Sequence, residues 1–243
     1  MSSFKDYILS FLQEHPDYQS ILPRSPEELI QKNILVDFKT FQIESMIGQG
    51  SEGTVYKAKI PEENPLYPIF KKYNTTYYAL KLICLPPSNV DTHEKILKSL
   101  QREISCQYKC NYPTILPLVA LSFQVTEEAS FLVIVTPLKM IDLRSLLEYC
   151  DNTYIASGLR RYYEMSEHFE APIDVHLRSL CERFKIYQNR FYTIEKDIYL
   201  KSFYKLKLIF GLATGFAYIH KMKIAHRDIK PENILIDNEL FLI

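Results

Sequence analysis

The sequence has no tryptophan, only six glycines among 243 residues, and no excess of either charge. Lysine plus arginine and aspartate plus glutamate both number 29, so the composition does not favour a nucleic-acid or membrane-surface partner. The longest apolar stretch, 206–219, contains Lys207 and two glycines and falls short of the ~20 apolar residues that a membrane helix needs. The apolar run at 7–12 is too short for a secretory signal. We therefore expect neither nucleic acid nor a membrane as partner.

Cysteine is also scarce, with five scattered residues and no Cys-x-x-Cys pair. An odd, scattered set in a long chain indicates reduced thiols, and hence an intracellular protein of the cytoplasm or nucleus. Cys106 and Cys110 would lie one above the other on a helix. A metal or redox pair is one interpretation of that spacing, and two packed thiols are the favoured one. With 47% hydrophobic and 24% charged residues, the chain can bury a sizeable core of one to two domains.

Residues 1–40 are predicted to form an extension. Apolar residues recur at helical spacing from Phe4 to Leu12, and the pair at 15–16, His-Pro, ends the pattern. A second short helix is expected at Ser25, where serine can cap and Pro26 suits the first helical position. The extension is either a docking segment or a helical arm packed on the following domain. The arm is favoured because an apolar stripe needs to be buried.

Half of the glycines, Gly48, Gly50 and Gly53, lie within six positions that strand-type residues flank on both sides. Without Cβ atoms, a tight hairpin brings its backbone amides close to an anion. The dinucleotide-binding fingerprint opens a helix instead. The stretch 41–60 therefore fits a strand–flap–strand that covers a nucleotide, and an ordinary glycine-rich hairpin fits it equally well.

A single lysine, Lys81, interrupts the buried strand predicted over 76–85, after a loop predicted over 61–75. An unpaired buried charge is costly, so this lysine must snorkel or find a partner. A helix predicted over 91–110, capped by its first polar residues Asp91 or Thr92, places Glu103 beside its core-facing stripe. Glu103 is the expected partner, and a solvated glutamate that pairs on its own helix is the alternative.

The rest of the chain leads to the polar stretch AHRDIKPENILI at 225–236. It is preceded by strands predicted over 112–123 and 131–136, a helix from 142 to 149, a region without clear signature at 150–200, and an apolar helix over 203–220. A hairpin with arms 233–236 and 240–243 is expected to follow. Polar residues held between buried elements indicate a site on a loop, and a charged, solvated connection is the alternative.

Four stretches, GQGSEGTV, YALK, REI and HRDIKPEN, occur in the order typical of protein kinases. From residue 41 to 243 the sequence thus resembles a eukaryotic protein kinase. The resemblance implies an α+β fold, with an antiparallel sheet and a helix in an N-terminal lobe (about 41–136), a hinge (137–139) and the first part of a helical C-terminal lobe (140–243, with an insertion at about 150–200). The sequence stops short of the D-F-G segment, so we expect an incomplete copy whose unfinished lobe exposes a surface for a partner.

The resemblance also implies an activity, phosphoryl transfer from ATP with Mg²⁺ to a serine or threonine of a protein. Lys81 would hold the α- and β-phosphates and Glu103 would hold Lys81. Asp228 would accept the proton of the substrate hydroxyl, Lys230 would balance the γ-phosphate as in serine/threonine-specific members, and Asn233 would bind Mg²⁺. The residues implied to surround the nucleotide are Ile47, Gly48, Gly50, Gly53, Val55, Ala79, Thr136, Pro137, Lys139 and Leu235.

Two residues depart from the family pattern. Glu52 stands at the tip of the flap, where an aromatic residue is usual, and Gln107 stands where an apolar residue is expected one turn after Glu103. Gln107 and the missing D-F-G segment, which would supply a metal ligand, support an alternative function. In that alternative the chain is a non-catalytic, kinase-like module, a pseudokinase or decoy that binds nucleotide or another protein.

Overall fold

The computed structural model describes residues 3–50, 53–87, 91–139, 141–145 and 202–236. They divide into two compact units, one of Met1–Lys139 with Ala217–Ala225 and the other of Met140–Phe216 with His226–Ile243. The predicted insertion at 150–200, the second hairpin arm at 240–243, the flap residue Glu52 and the second half (146–149) of the helix predicted over 142–149 lie outside the described residues.

The first unit is built on a five-stranded sheet in the order β1-β2-β3-β5-β4. Its strands, antiparallel throughout, are β1 (Gln42–Gly50), β2 (Gly53–Lys59), β3 (Tyr78–Cys84), β4 (Ala120–Val125) and β5 (Ser130–Pro137). Side chains alternate between the two faces of a strand, and both faces of β3, β4 and β5 carry buried apolar residues, whereas β1 is largely exposed. On β5, Leu132 and Ile134 enter one apolar cluster while Val133 and Val135 enter another.

One face of the sheet carries the helix-side cluster, whose members are Ile8, Phe11, Leu12, Tyr18, Ile21, Leu22, Leu29, Leu35, Ile83, Leu85, Leu97, Leu100, Ile104, Leu121, Phe123, Leu132 and Ile134. The other face carries the far-side cluster, Val36, Phe41, Ala58, Ile60, Phe70, Tyr78, Leu80, Val119, Ala120, Val133 and Val135. Full burial of a Leu, Ile, Val or Phe side chain contributes about 1.5–3 kcal/mol. The two clusters together therefore hold the unit, and the predicted α+β architecture is confirmed.

The N-terminal extension forms three helices, α1 (Phe4–Glu14), α2 (Pro16–Gln19) and α3 (Pro26–Gln31). The predicted cap is confirmed, because the hydroxyl of Ser25 accepts a hydrogen bond from the Glu28 amide at 3.3 Å. After α3 the chain reaches the edge of the sheet, where Leu35 forms a parallel bridge with Leu121 of β4. Eight residues of the extension lie in the helix-side cluster, which confirms the packed helical arm.

The long helix of this unit is α5 (His93–Lys109), after the short α4 (Tyr67–Phe70). Leu97, Leu100 and Ile104 bury one stripe of α5. The predicted side-chain cap of α5 is wrong for Thr92, which occupies the N-cap position without a capping hydrogen bond. Its backbone is helical (φ −91°, ψ 0°) rather than extended, and only the extended form turns a side-chain oxygen toward the next amides.

The loop predicted over 61–75 is wrong in part, since it contains α4 and a 3₁₀ turn, Lys71–Tyr73. Pro68 sits in the first turn of α4, where a missing N–H costs nothing, and Phe70 is only 2% exposed. The strand predicted from 112 is also wrong at its start, because β4 begins at Ala120. Pro117 has no N–H for a ladder and restricts the residue before it.

The second unit pairs β6 (Ile141–Asp142) antiparallel with β7 (Leu235–Ile236). Helical backbone begins at 143, where the amide of Ser145 donates to Asp142 Oδ1 at 2.8 Å, as expected for the predicted helix start. The predicted arm 233–236 is a strand only in β7, because Pro231–Asn233 forms a 3₁₀ turn. The last helix, α6 (Ser202–Lys221), confirms the predicted apolar helix.

None of the helices in the described ranges combines the length and the apolarity needed to cross a membrane.

Candidate functional site

The glycine-rich stretch is a hairpin between β1 and β2. Gly48 pairs with Val55 and Gly50 pairs with Gly53, so strands flank the stretch on both sides as predicted. Irregular register near Met46 and Gly48 interrupts the regular pairing of β1. The tip at 51–52 lies outside the described residues.

The three glycines of this hairpin differ in the space that surrounds them. Gly53 has φ +138°, and a Cβ atom there would clash with the carbonyl oxygen of Leu82 on β3, so this glycine is required by the fold itself. A Cβ on Gly48 would meet Val55 Cβ at an ordinary 3.9 Å, and one on Gly50 would meet no described atom within 4 Å. Packing therefore does not require glycine at positions 48 and 50, and the open space beside them is available to a bound group.

Lys81 lies on β3 opposite Val55 on β2 and Ile134 on β5. Opposed residues point to the same face, so Lys81 faces the helix-side cluster and α5. Its Nζ atom lies 3.7 Å from Oε1 of Glu103, and the expected pair is thus brought together. The side chains are 28% and 49% exposed, and such a pair stabilises a protein by only about 0–1 kcal/mol.

Several residues predicted to surround the nucleotide share this face. Ala79 lies two residues before Lys81 on β3 and pairs with Thr136 on β5, so Val55, Ala79 and Thr136 all point to the side of Lys81. Pro137 ends β5 and is buried. Beyond it the Leu138 amide donates to the Tyr77 carbonyl at 3.0 Å. Of the other two predicted residues in this unit, Ile47 is 48% exposed and Lys139 is half-buried.

In the second unit the polar loop is fixed by its own side chains. The side-chain amide nitrogen of Asn233, Nδ2, donates to the carbonyl oxygen of Asp228 at 2.9 Å and to its Oδ2 at 2.7 Å. The Asp228 amide donates to Nδ1 of His226 at 3.4 Å. Arg227 has a left-handed backbone, φ 65°, which costs a non-glycine residue of order 1–3 kcal/mol. Such strain is typical of a backbone that serves a site rather than stability alone.

The carboxylate of Asp228 is held in its charged form. Lys230 Nζ lies 3.0 Å from Oδ2, and the hydrogen bond from Lys230 is the largest cause that lowers the pKa of Asp228, followed by the hydrogen bond from Asn233. Because both donors favour the ionised carboxylate, Asp228 is available as a proton acceptor at neutral pH.

Contacts that sequence reasoning had not predicted support this loop. Arg144 NH1 lies 3.7 Å from Glu232 Oε1, and the Leu143 amide donates to the Ile234 carbonyl at 2.7 Å. These contacts join residues about 90 positions apart in the chain, so no local pattern could have predicted them. They attach the 3₁₀ turn to the start of the helical segment at 143.

Metal ligands are few among the described residues, which include no group of three or more His, Cys, Asp and Glu arranged to hold an ion. Both hydrogen bonds of Asn233 to Asp228 use its amide nitrogen. The remaining amide oxygen is of the class that Mg²⁺ prefers, so Asn233 fits a magnesium ligand in kind. Lys81, Glu103 and the glycines belong to the first unit, and Asp228, Lys230, Asn233 and Leu235 belong to the second.

Several known proteins are similar in sequence to this chain. The chain is 26% identical over 219 residues to the Negative regulator of sexual conjugation and meiosis of Schizosaccharomyces pombe, covering 89% of this chain and 33% of that protein. It is 25% identical over 200 residues to Serine/threonine-protein kinase fused of Drosophila melanogaster, covering 82% and 17%. It is 55% identical over 38 residues to Aurora kinase of S. pombe, covering 15% and 11%.

The chain spans a third or less of the length of these relatives. A family model described as protein tyrosine and serine/threonine kinase matches residues 41–243. The matched region contains the five-stranded antiparallel sheet and α5, which together form the N-terminal lobe of the kinase fold, and part of the C-terminal lobe. The chain therefore belongs to the protein kinase family.

Proposed function

We propose that this chain acts as a serine/threonine protein kinase, transferring the γ-phosphoryl group of ATP to a hydroxyl group of a protein. The observation that carries the proposal is the carboxylate of Asp228, held by donors that favour its ionised form. Two donors hold its Oδ2 atom, Lys230 Nζ at 3.0 Å and Asn233 Nδ2 at 2.7 Å. A carboxylate in this state can orient an incoming hydroxyl and accept its proton.

The reaction then needs little covalent chemistry from the protein. The substrate hydroxyl oxygen bonds to the γ-phosphorus, its proton passes to Asp228, and the bond to the β-phosphate oxygen breaks to release ADP. Lys230 carries a positive charge beside Asp228, where it would offset the charge of the γ-phosphoryl group. Catalysis would thus rest on positioning and charge, which is what phosphoryl transfer requires.

The first unit would hold the nucleotide. Lys81, oriented by Glu103 at 3.7 Å, would contact the α- and β-phosphates, and the open space beside Gly48 and Gly50 would admit phosphate oxygens to the backbone. Val55, Ala79 and Thr136 share one face of the sheet, and their methyl groups suit the adenine ring. The other residues of this unit proposed to line the nucleotide are Ile47, Gly53, Pro137 and Lys139.

Mg²⁺ would be held through the amide oxygen of Asn233, together with phosphate oxygens and water. When bound, the ion neutralises part of the charge of the phosphates. The hydrogen bonds from Asn233 to Asp228 would keep this ligand beside the proton acceptor.

Serine/threonine specificity is the finer part of the proposal. Lys230 supports it, since this lysine resembles the one found in serine/threonine-specific members, and a relative named Serine/threonine-protein kinase fused supports it as well. We also propose a division into lobes at 137–139, which the boundary between the two units after Lys139 supports.

The test is transfer of labelled γ-phosphate from ATP with Mg²⁺ to a library of peptides containing serine, threonine or tyrosine. We expect transfer to serine or threonine that Asp228→Asn abolishes. Asp37→Asn is the matched control, because Asp37 uses a single carboxylate oxygen to cap the Lys39 amide and asparagine retains that acceptor. ATP binding without transfer would instead support the non-catalytic module, and transfer unchanged by Asp228→Asn would refute the proposed role of Asp228.

A further inference from the structure

The N-terminal extension and α5 share one apolar cluster. Eight residues between Ile8 and Leu35 enter the helix-side cluster together with Leu97, Leu100 and Ile104 of α5. Ile8 and Ile104 are both fully buried. The buried stripe of α5 thus packs on a surface to which the extension contributes as well as the sheet.

Polar contacts join the extension to α5 at two further points. The side-chain amide of Gln101 donates to the carbonyl oxygen of Ser20 at 2.7 Å. The ring nitrogens of His93 lie 2.8 Å from the Pro86 carbonyl oxygen and 3.3 Å from a carboxylate oxygen of Asp17. These contacts involve the first turn of α5 and the turn just before Glu103.

The Lys81–Glu103 pair is too weak to set the position of α5 by itself. Both side chains are partly exposed and their charged atoms are 3.7 Å apart, so solvent screens the attraction. The buried stripe of α5 contributes far more. The surface that receives this stripe therefore decides where Glu103 stands.

We propose that residues 4–36 position Glu103, by bracing α5 in the place where the carboxylate of Glu103 meets Lys81. Gln101 is a positioning residue in this brace, because its bond to Ser20 ties the backbone two residues before Glu103 to the extension. The proposal rests on the role proposed above for the Lys81–Glu103 pair. In this proposal the extension supports the nucleotide site through α5 and does not itself contact the nucleotide.

The test reads the ion pair without nucleotide, so it does not depend on phosphoryl transfer. The full chain is treated with an amine-acylating reagent, and the rate at which Lys81 is modified is followed by mass spectrometry. Only the neutral amine reacts, and a nearby carboxylate favours the charged form. Glu103→Gln therefore sets the rate expected when the pair is lost.

Two matched variants separate bracing from general destabilisation. Ile8→Ala removes a buried isoleucine from the helix-side cluster, and Ile60→Ala removes one from the far-side cluster, where Ile60 is 4% exposed. We expect Ile8→Ala to raise the rate at Lys81 most of the way to that of Glu103→Gln, and Ile60→Ala to leave it near the wild-type rate. Equal rates in the two variants, or no change in either, would overturn the proposal.

A surface variant keeps the proposal testable if Ile8→Ala does not fold. Gln101→Met keeps the length of the side chain and removes the donor to Ser20, while Gln101→Lys keeps a donor. We expect faster modification of Lys81 in Gln101→Met and recovery in Gln101→Lys, with unchanged melting temperatures. If Gln101→Met behaves like the wild type, the brace is refuted. A chain that fails to bind ATP yet shows these rate changes would refute the proposed kinase function and retain the brace.

Discussion

The side-chain amide nitrogen of Asn233 donates to Oδ2 of Asp228 at 2.7 Å, and this hydrogen bond closes a loop of six residues. The same carboxylate oxygen receives Lys230 at 3.0 Å. One oxygen of the proposed proton acceptor is thus held by two donors that lie within the same short motif. The pKa of Asp228 therefore depends on Lys230 and Asn233, and each of these two residues can be substituted separately.

Loss of the Lys230 donor should move the acid limb of the pH–rate profile to higher pH. The hydrogen bond from Lys230 is the largest cause that lowers the pKa of Asp228, so Lys230→Met raises that pKa, and the carboxylate becomes protonated at a higher pH as the solution is acidified. The measurement is kcat/KM against pH for phosphoryl transfer. Glu232→Gln, which keeps Lys230, is the control, and an acid limb that is unmoved in Lys230→Met would contradict the assignment.

Tyr78 should make stability fall in alkaline solution. Burial raises the pKa of Tyr78 to about 12, from 10.0, and its hydroxyl donates to the Phe70 carbonyl at 3.1 Å. A pKa raised by folding contributes stability that is complete below the unfolded-state value of 10.0 and is lost as pH rises through the folded value.

This loss should be absent in Tyr78→Phe. Near neutral pH the variant is less stable by about 0.5–1.5 kcal/mol, for the lost hydrogen bond, and the difference from wild type shrinks above about pH 10. Urea unfolding near neutral pH and at about pH 11 measures both effects. Tyr7→Phe, at a site 47% exposed, should leave the stability near neutral pH unchanged. A difference that stays constant with pH would contradict the assignment.

The glycines of the β1–β2 hairpin should respond differently to alanine. Gly53→Ala places a Cβ against the Leu82 carbonyl at φ +138° and should destabilise the first unit by about 1–3 kcal/mol or more. Gly50→Ala meets open space and should leave the unfolding free energy unchanged within about 0.5 kcal/mol while weakening ATP binding. Thermal unfolding with and without ATP separates the two effects, and equal destabilisation by both would contradict this interpretation.

Removal of the Lys81 charge should affect ligand binding far more than stability. Since the pair with Glu103 is partly exposed, Lys81→Met should change the unfolding free energy of the free chain by less than about 1 kcal/mol. The rise in melting temperature caused by ATP should be lost, because only binding to the folded state produces it. Lys59→Met is the control, since Lys59 lies on β2 and contacts Glu44 instead. An undiminished ATP effect in Lys81→Met would refute the nucleotide role.

Local signals in the sequence were enough to predict much of the first unit. Ser25 and Pro26 mark the start of α3 by capping chemistry that involves only neighbouring residues. The pairing of Lys81 with Glu103 was predictable because one charge in an apolar strand must snorkel or find a partner, and Glu103 lies beside the core-facing stripe of the next helix. The loop predicted over 61–75 failed for the opposite reason, since Phe70 is buried by residues of the far-side cluster that lie outside this stretch, Phe41 and Tyr78 among them.

The sequence by itself determined the chemistry of the chain, because the order of its motifs and the residue types at each position specify which groups can donate, accept or carry charge. Only the tertiary structure decided how those groups are supported. It made Gly53 a requirement of β3, joined Arg144 to Glu232 and packed residues 8–35 with α5. The physical reason is range: capping and motif chemistry act within a few residues, whereas burial joins residues that only the folded chain brings together.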